Sequence, residues 1–129
     1  MAEAQVAAIV TGIDRRAWSM TETGLMECIR KMCLQLALLH FHVRDSRGSW
    51  GPGFPDLVIA SRKGTLFAEC KSQTAYLTSG QWAWRDALET AGMEYRLWRP
   101  SSYYSDEIAN ELVKLSPLPV VTFTAEDMA

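Results

Sequence analysis

Three side chains in the middle of the chain have the types and spacing for metal-assisted phosphoryl chemistry: Asp56, Glu69 and Lys71. Side chains alternate along a strand, so Glu69 and Lys71 share one face and Cys70 takes the other. Asp56 opens the apolar run Asp56-Leu57-Val58-Ile59-Ala60. The turn Arg62-Lys63-Gly64 joins that run to the strand carrying Glu69 and Lys71. Pairing inward from the turn brings Asp56 beside Glu69 or Lys71, and one sheet face then collects two carboxylates and an ammonium. A solvated Glu-x-Lys ion pair is the plain alternative. Against it, both residues sit in an apolar strand with Leu66, Phe67, Ala68 and Cys70. Two like charges held close need a cation. Oxygen ligands suit a hard ion, magnesium or manganese. Such an ion polarises a phosphoryl oxygen and lowers the pKa of a bound water. Lys71 can orient that water or stabilise developing negative charge. The Cys70 carbonyl and Glu22 are further candidate oxygen ligands.

The elements that must position this set can be read from periodicity. Residues 21–39 predict an amphipathic helix, capped by Thr21, with Leu25, Ile29, Met32, Cys33 and Leu36 in one stripe. Glu22 falls within that stripe and Glu27 nearly opposite, so Glu22 is the carboxylate that needs a partner. Residues 40–44 read as a short strand and residues 45–55 as a Gly, Ser and Pro-rich loop. Strands follow at 56–60 and 65–71. A helix runs from Thr78 to about Ala91, closed by Gly92, then a strand at 94–98. A final helix is expected over 102–115 and an edge strand over 120–123. The order is α-β-β-β-α-β-α: an antiparallel meander, then a fourth strand added in parallel through a helical crossover. The fold class is α/β, a mixed four-stranded sheet flanked by helices. Residues 1–20 read as an appendage with a short helix over 3–10 and a turn at Thr11-Gly12. Residues 21–115 form the domain and 116–129 a tail.

Composition narrows the classes. The chain has 129 residues, 48% hydrophobic and 22% charged, which argues for one globular domain rather than disorder. Thirteen basic and fifteen acidic side chains leave a net charge of −2, which excludes a strongly basic nucleic-acid coat protein. The balance is uneven: residues 40–72 carry five basic side chains (Arg44, Arg47, Arg62, Lys63, Lys71) and three acidic ones (Asp45, Asp56, Glu69). No apolar run suggests a membrane span, and no secretory leader is visible. Cys28, Cys33 and Cys70 are odd in number, form no Cys-x-x-Cys pair and read as reduced thiols. The expected setting is cytoplasmic.

Gly53-Phe54-Pro55-Asp56, followed by Glu69-Cys70-Lys71, resembles the PD-(D/E)XK nuclease superfamily. More narrowly it resembles the virus-type replication-repair nuclease (VRR-NUC) domain. The resemblance runs from about Thr21 to about Asp106. It includes Thr21-Glu22, the stretch from His42 to Ser46, Leu77-Thr78-Ser79-Gly80-Gln81 with Trp84, and Arg96-Leu97-Trp98-Arg99-Pro100. It implies a restriction-endonuclease-like αβββαβ core and metal-dependent cleavage of DNA. On this resemblance Asp56 and Glu69 match the metal ligands, Lys71 the catalytic lysine, Glu22 the acid of the first helix, and Gln81 a glutamine on the helix after the core strands. Cys70 departs from a more usual aliphatic residue, and Gly80 from the usual helix start. Stand-alone relatives of this kind resemble small phage-type enzymes that act as homodimers on branched DNA, four-way (Holliday) junctions included. That implies a bacterial or phage-infected host cell.

Gln81 has a second reading, because Thr78-Ser79-Gly80-Gln81 is a capping-box pattern. Trp82 lies on the opposite side of its helix and reads either as a partly exposed aromatic or as a contact to a subunit or a base. His42, Arg44, Arg47, Arg62, Lys63 and Tyr76 are candidate DNA contacts, although exposed polar residues are commonly only solvated. His40 and His42 share one strand face, with no partner suggesting histidine-based hydrolysis. Two other classes stand beside the nuclease: a non-cleaving DNA-binding or interaction module that keeps the fold, and a metal-dependent hydrolase with a non-nucleic substrate.

Overall fold

The structure is a computed structural model that describes residues 12–43 and 50–128. The first long element, α1 (Glu22–Gln35), starts where the Thr21 side chain accepts a hydrogen bond from the Gly24 amide at 3.0 Å. Its stripe is buried as the spacing requires: Leu25, Ile29, Met32, Cys33 and Leu36 are each at most 1% exposed. The helix ends short of residue 39 because Ala37 turns left-handed, at φ 55°.

Strand β1 (Leu39–His42) follows, then β2 (Leu57–Ser61) and β3 (Gly64–Cys70), paired antiparallel as a meander. Helix α2 (Ser79–Thr90) carries the chain over to β4 (Glu94–Trp98), which lies parallel to β3. The sheet order is β1-β2-β3-β4. Leu57, Ile59, Leu66, Ala68, Cys70 and Trp98 form one packed face with α1 and with α4 (Glu107–Leu115). The other face carries Asp56, Phe67 and Glu69 towards α2. Most of the buried side chains lie on the α1 side of the sheet, while α2 contributes no fully buried residue.

Two expectations for the C-terminal part are corrected. The final helix is two helices, α3 (Pro100–Tyr104) and α4, because Asp106 adopts a left-handed φ of 66° and breaks the run. Asp106 Oδ1 accepts a hydrogen bond from the Ala125 amide at 2.8 Å, so the tail folds back onto that break. No strand forms over residues 120–123; the tail ends in a 3-10 turn, Ala125–Met128. Pro117 and Pro119 interrupt the donors a ladder would need. The helix expected over residues 3–10 lies outside the described residues. The next stretch forms a 3-10 turn, Arg15–Trp18, and Arg16 sits over the Tyr104 ring at 4.2 Å.

Candidate active site

The β2–β3 register pairs Leu57 with Ala68, which sets Asp56 opposite Glu69 one step further on. The two acids interlock through the backbone. The Asp56 amide donates to Glu69 Oε2 at 3.2 Å, and the Cys70 amide donates to Asp56 Oδ2 at 2.9 Å. Glu69 is only 1% exposed, a carboxyl inside the protein. Burial pushes its pKa well above the ordinary carboxylate range, and the Asp56 charge and a carboxyl–carboxyl hydrogen bond push it further; Lys71 and the Asp56 amide pull the other way. Lys71 is 8% exposed, and its amide continues the β3–β4 ladder onto the Trp98 carbonyl at 3.0 Å.

Asp56 is placed by the turn before it. Gly53 has φ 88°, and a Cβ there would stand 2.3 Å from the Gly80 carbonyl carbon. A side chain at this position has no room. Gly80 in turn lies under the Pro52 carbonyl, where a Cβ would sit at 3.2 Å. The departure at Gly80 therefore has a physical reason: the acid-bearing turn and the first turn of α2 touch backbone to backbone. Phe54 seals the contact edge-on to Trp84 at 4.9 Å and to Phe67 at 6.2 Å. Pro55, fully buried, leads into Asp56.

That contact puts Gln81 over the acids. Gln81 Nε2 donates to Glu69 Oε1 at 2.6 Å, while Gln81 Oε1 accepts from the Thr78 amide at 2.9 Å. The Thr78 hydroxyl accepts from the Gln81 amide and completes the capping box. The capping-box reading of Gln81 holds, and the same side chain also contacts Glu69. The cap needs the oxygen, so the nitrogen faces Glu69.

Glu22 is the first residue of α1, which packs on the other side of the sheet. Its charge is among those that, after burial, raise the Cys70 thiol. Glu27, by contrast, is exposed and paired with Arg30 at 2.6 Å. Among the described residues, no three His, Cys, Asp or Glu side chains form a ready cage for a metal ion. The donor set nonetheless fits a hard divalent ion held by two carboxylates and several waters, as magnesium commonly is. Two facing acids, one buried and holding its proton in the absence of a cation, are a pair that a cation would relieve.

The candidate DNA contacts scatter. Tyr76 is 88% exposed on the segment leaving Lys71. His42 pairs with Leu57, next to Asp56, but on the α1 side of the sheet. There, together with His40, it lines a cavity of about 300 Å³ floored by Ile29, Leu57 and Ile59. Arg62 and Lys63 form the β2–β3 turn. That turn is at the far end of the hairpin from the acids, roughly 20 Å away along an extended strand. Arg44 and Arg47 lie outside the described residues. Two residues that periodicity could not find are Gln73 and Arg99. Their side chains reach across more than twenty positions of sequence to tie the segment after Lys71 to the end of β4. Arg99 carried a sequence signal only as part of the Arg96–Pro100 resemblance, and Gln73 carried none.

A mixed sheet with two acids and a lysine gathered at the ends of its central strands is a restriction-endonuclease-like core. The family model of the VRR-NUC domain matches residues 8–101, well over half of the chain, and the chain belongs to that nuclease family. The match starts upstream of Thr21, so it takes in the 3-10 turn as well. No curated protein and no solved structure matches the chain. No helix among the described residues is long and apolar enough to cross a membrane.

Proposed function

We propose that this protein is a divalent-metal-dependent DNA endonuclease, hydrolysing phosphodiester bonds with a preference for branched DNA such as four-way junctions. The observation that carries the reading is the interlocked pair Asp56 and Glu69, with Glu69 buried and hydrogen-bonded by Gln81. A buried acid facing a second acid costs stability unless something cationic uses it, and membership of a nuclease family supports phosphodiester cleavage as that use.

Asp56 and Glu69 are the residues that would hold magnesium or manganese, with the Cys70 carbonyl and Glu22 as further oxygen donors. Bound there, the ion would polarise the scissile phosphate and lower the pKa of the attacking water. The protein's own groups do the rest. Gln81 fixes the orientation of the Glu69 carboxylate, so its free lone pairs face one direction. Lys71, fixed at its backbone to Trp98, presents an ammonium to the negative charge that builds on the phosphoryl oxygens. The low exposure of Glu69 and Lys71 strengthens both interactions by excluding water. Tyr76, exposed on the segment leaving Lys71, and His42, paired with the residue after Asp56, would meet the DNA close to the cut; Arg62 and Lys63 would meet phosphates several nucleotides away.

One site per chain makes one nick, so symmetric cleavage of a junction calls for a homodimer. Edge strand β1 supports that reading: among the described residues it pairs only with β2, and its Phe41 and Leu39 side chains are 66% and 74% exposed. A phage or bacterial cytoplasm is the setting this function fits.

The test is cleavage of labelled linear duplex, single-stranded, flap and four-way-junction DNA with magnesium, with manganese and with chelator. Lys71→Ala and Glu69→Ala run alongside. Cleavage by the wild type that both variants and the chelator abolish is expected. Binding without cleavage under any metal would favour a non-cleaving DNA-binding module instead.

A further inference from the structure

The segment between Lys71 and α2 has no ladder or helix to hold it, yet it links three parts of the site. Lys71 stands at its start, exposed Tyr76 near its end, and Thr78, which caps α2 together with Gln81, just beyond. One side chain pins it in the middle. Arg99 Nη1 donates to the Ser72 carbonyl at 2.7 Å and to the Ala75 carbonyl at 2.7 Å. Gln73 adds a second tie to the same junction: its Oε1 accepts from the Ser101 amide at 2.9 Å, and its Nε2 donates to the Ser101 hydroxyl at 3.1 Å. Among the described residues, Arg99 makes no ion pair with a carboxylate. Its guanidinium bridges two backbone oxygens instead. Both bonds come from one terminal nitrogen, whose two N–H bonds are fixed in the guanidinium plane, whereas the donors of an ammonium rotate on a flexible stem.

Resting on the nuclease reading above, we infer that Arg99 is a positioning residue of the active site. By clamping Ser72 and Ala75 it fixes the backbone between Lys71 and Tyr76. The ammonium that meets the scissile phosphate and the aromatic ring that meets the nearby nucleotide are thereby held at one distance from each other. Arg99 touches neither substrate nor metal; it acts through the segment it holds. The pin comes from the end of β4, one residue after the Trp98 carbonyl that receives the Lys71 amide. One short stretch of chain thus holds both the backbone of Lys71 and the segment that follows it.

The experiment uses the full chain with Arg99→Ala, Arg99→Lys, Tyr76→Ala and the Arg99→Ala/Tyr76→Ala double variant. Hydrogen exchange without DNA or metal reads the clamp itself. Arg99→Ala should speed exchange across residues 72–77 at least tenfold and leave α1 and β2 unchanged. Single-turnover cleavage of a four-way junction at saturating DNA should fall at least tenfold in Arg99→Ala. Millimolar guanidinium ion should restore part of it, and Arg99→Lys little. Loss of DNA affinity in the double variant should not exceed that of the worse single variant, because both act through one segment. Faster exchange throughout the chain, with cleavage lost only in step with the melting temperature, makes Arg99 merely structural and overturns the inference. So does wild-type cleavage by Arg99→Ala. A wild-type chain that cuts no DNA overturns the underlying nuclease reading, a separate outcome.

Discussion

Gln81 reaches Glu69 with its amide nitrogen at 2.6 Å while its amide oxygen closes the capping box of α2 at 2.9 Å. One side chain therefore ties the start of a helix to the buried acid of the sheet. Replacing it separates the two roles. Gln81→Glu keeps an acceptor for the Thr78 amide but loses the donor to Glu69, so helix capping survives and the acid loses its orientation. Gln81→Ala loses both, and a lost cap costs about 1 kcal/mol. Urea denaturation should show the larger stability loss in Gln81→Ala near pH 5, where Glu69 holds its proton. Single-turnover cleavage should drop at least tenfold in both variants. Full activity in Gln81→Glu would mean that the contact to Glu69 is only part of the cap.

Glu69 makes the metal-free protein sensitive to pH. Its folded pKa is raised, chiefly by burial, so the folded state keeps a proton that the unfolded chain has released. The resulting stability is complete below the ordinary carboxylate range and is lost as pH rises through the raised folded value. Each unit of elevation is worth about 1.4 kcal/mol. The urea midpoint in chelator should therefore fall between about pH 5 and about pH 9, and Glu69→Gln should flatten that fall. Magnesium should restore most at the alkaline end, where the carboxylates are free to bind it. A midpoint in chelator that does not move with pH would contradict the burial argument.

Gly53 faces Gly80 with no space between them. Gly53→Ala forces both a left-handed φ and a collision with backbone, at a cost on the order of 1–3 kcal/mol. Gly80→Ala meets the Pro52 carbonyl at 3.2 Å and should cost less. Thermal melts should rank the two in that order. Cleavage should suffer in Gly53→Ala beyond its loss of stability, because the displaced turn carries Asp56.

Glu22 and Glu27 lie on the same helix with different surroundings. Glu27 is engaged by Arg30 at the surface, whereas the Glu22 charge is felt at Cys70, next to Glu69. Calorimetric titration with manganese should show weaker binding in Glu22→Ala and wild-type binding in Glu27→Ala. Equal affinities would take Glu22 out of the site.

Much of this site was legible because its signals are local. Alternation along β3 put Glu69 and Lys71 on one face and the Arg62-Lys63-Gly64 turn brought Asp56 to that end of the sheet, while the register of the structure decided that Asp56 opposes Glu69. Helical spacing separated Glu22 from Glu27. The break at Asp106 was not legible, because a left-handed residue other than glycine leaves no mark in a hydrophobic pattern. The distance of Arg62 and Lys63 from the acids follows from the same hairpin that aligns Asp56 with Glu69, because a turn and the open end of its strands lie at opposite ends.

The amino-acid sequence by itself determined the core elements from α1 to β4, their order and the candidate acid–acid–lysine set, because strand alternation, helical periodicity and turn chemistry act over a few residues. The tertiary structure alone decided how that set is held. Gly53 against Gly80, Gln81 on Glu69, and Arg99 across Ser72 and Ala75 each join positions 12 to 27 residues apart. Such contacts depend on where α2 and β4 settle on the sheet, and packing sets that position, not the pattern of any one segment.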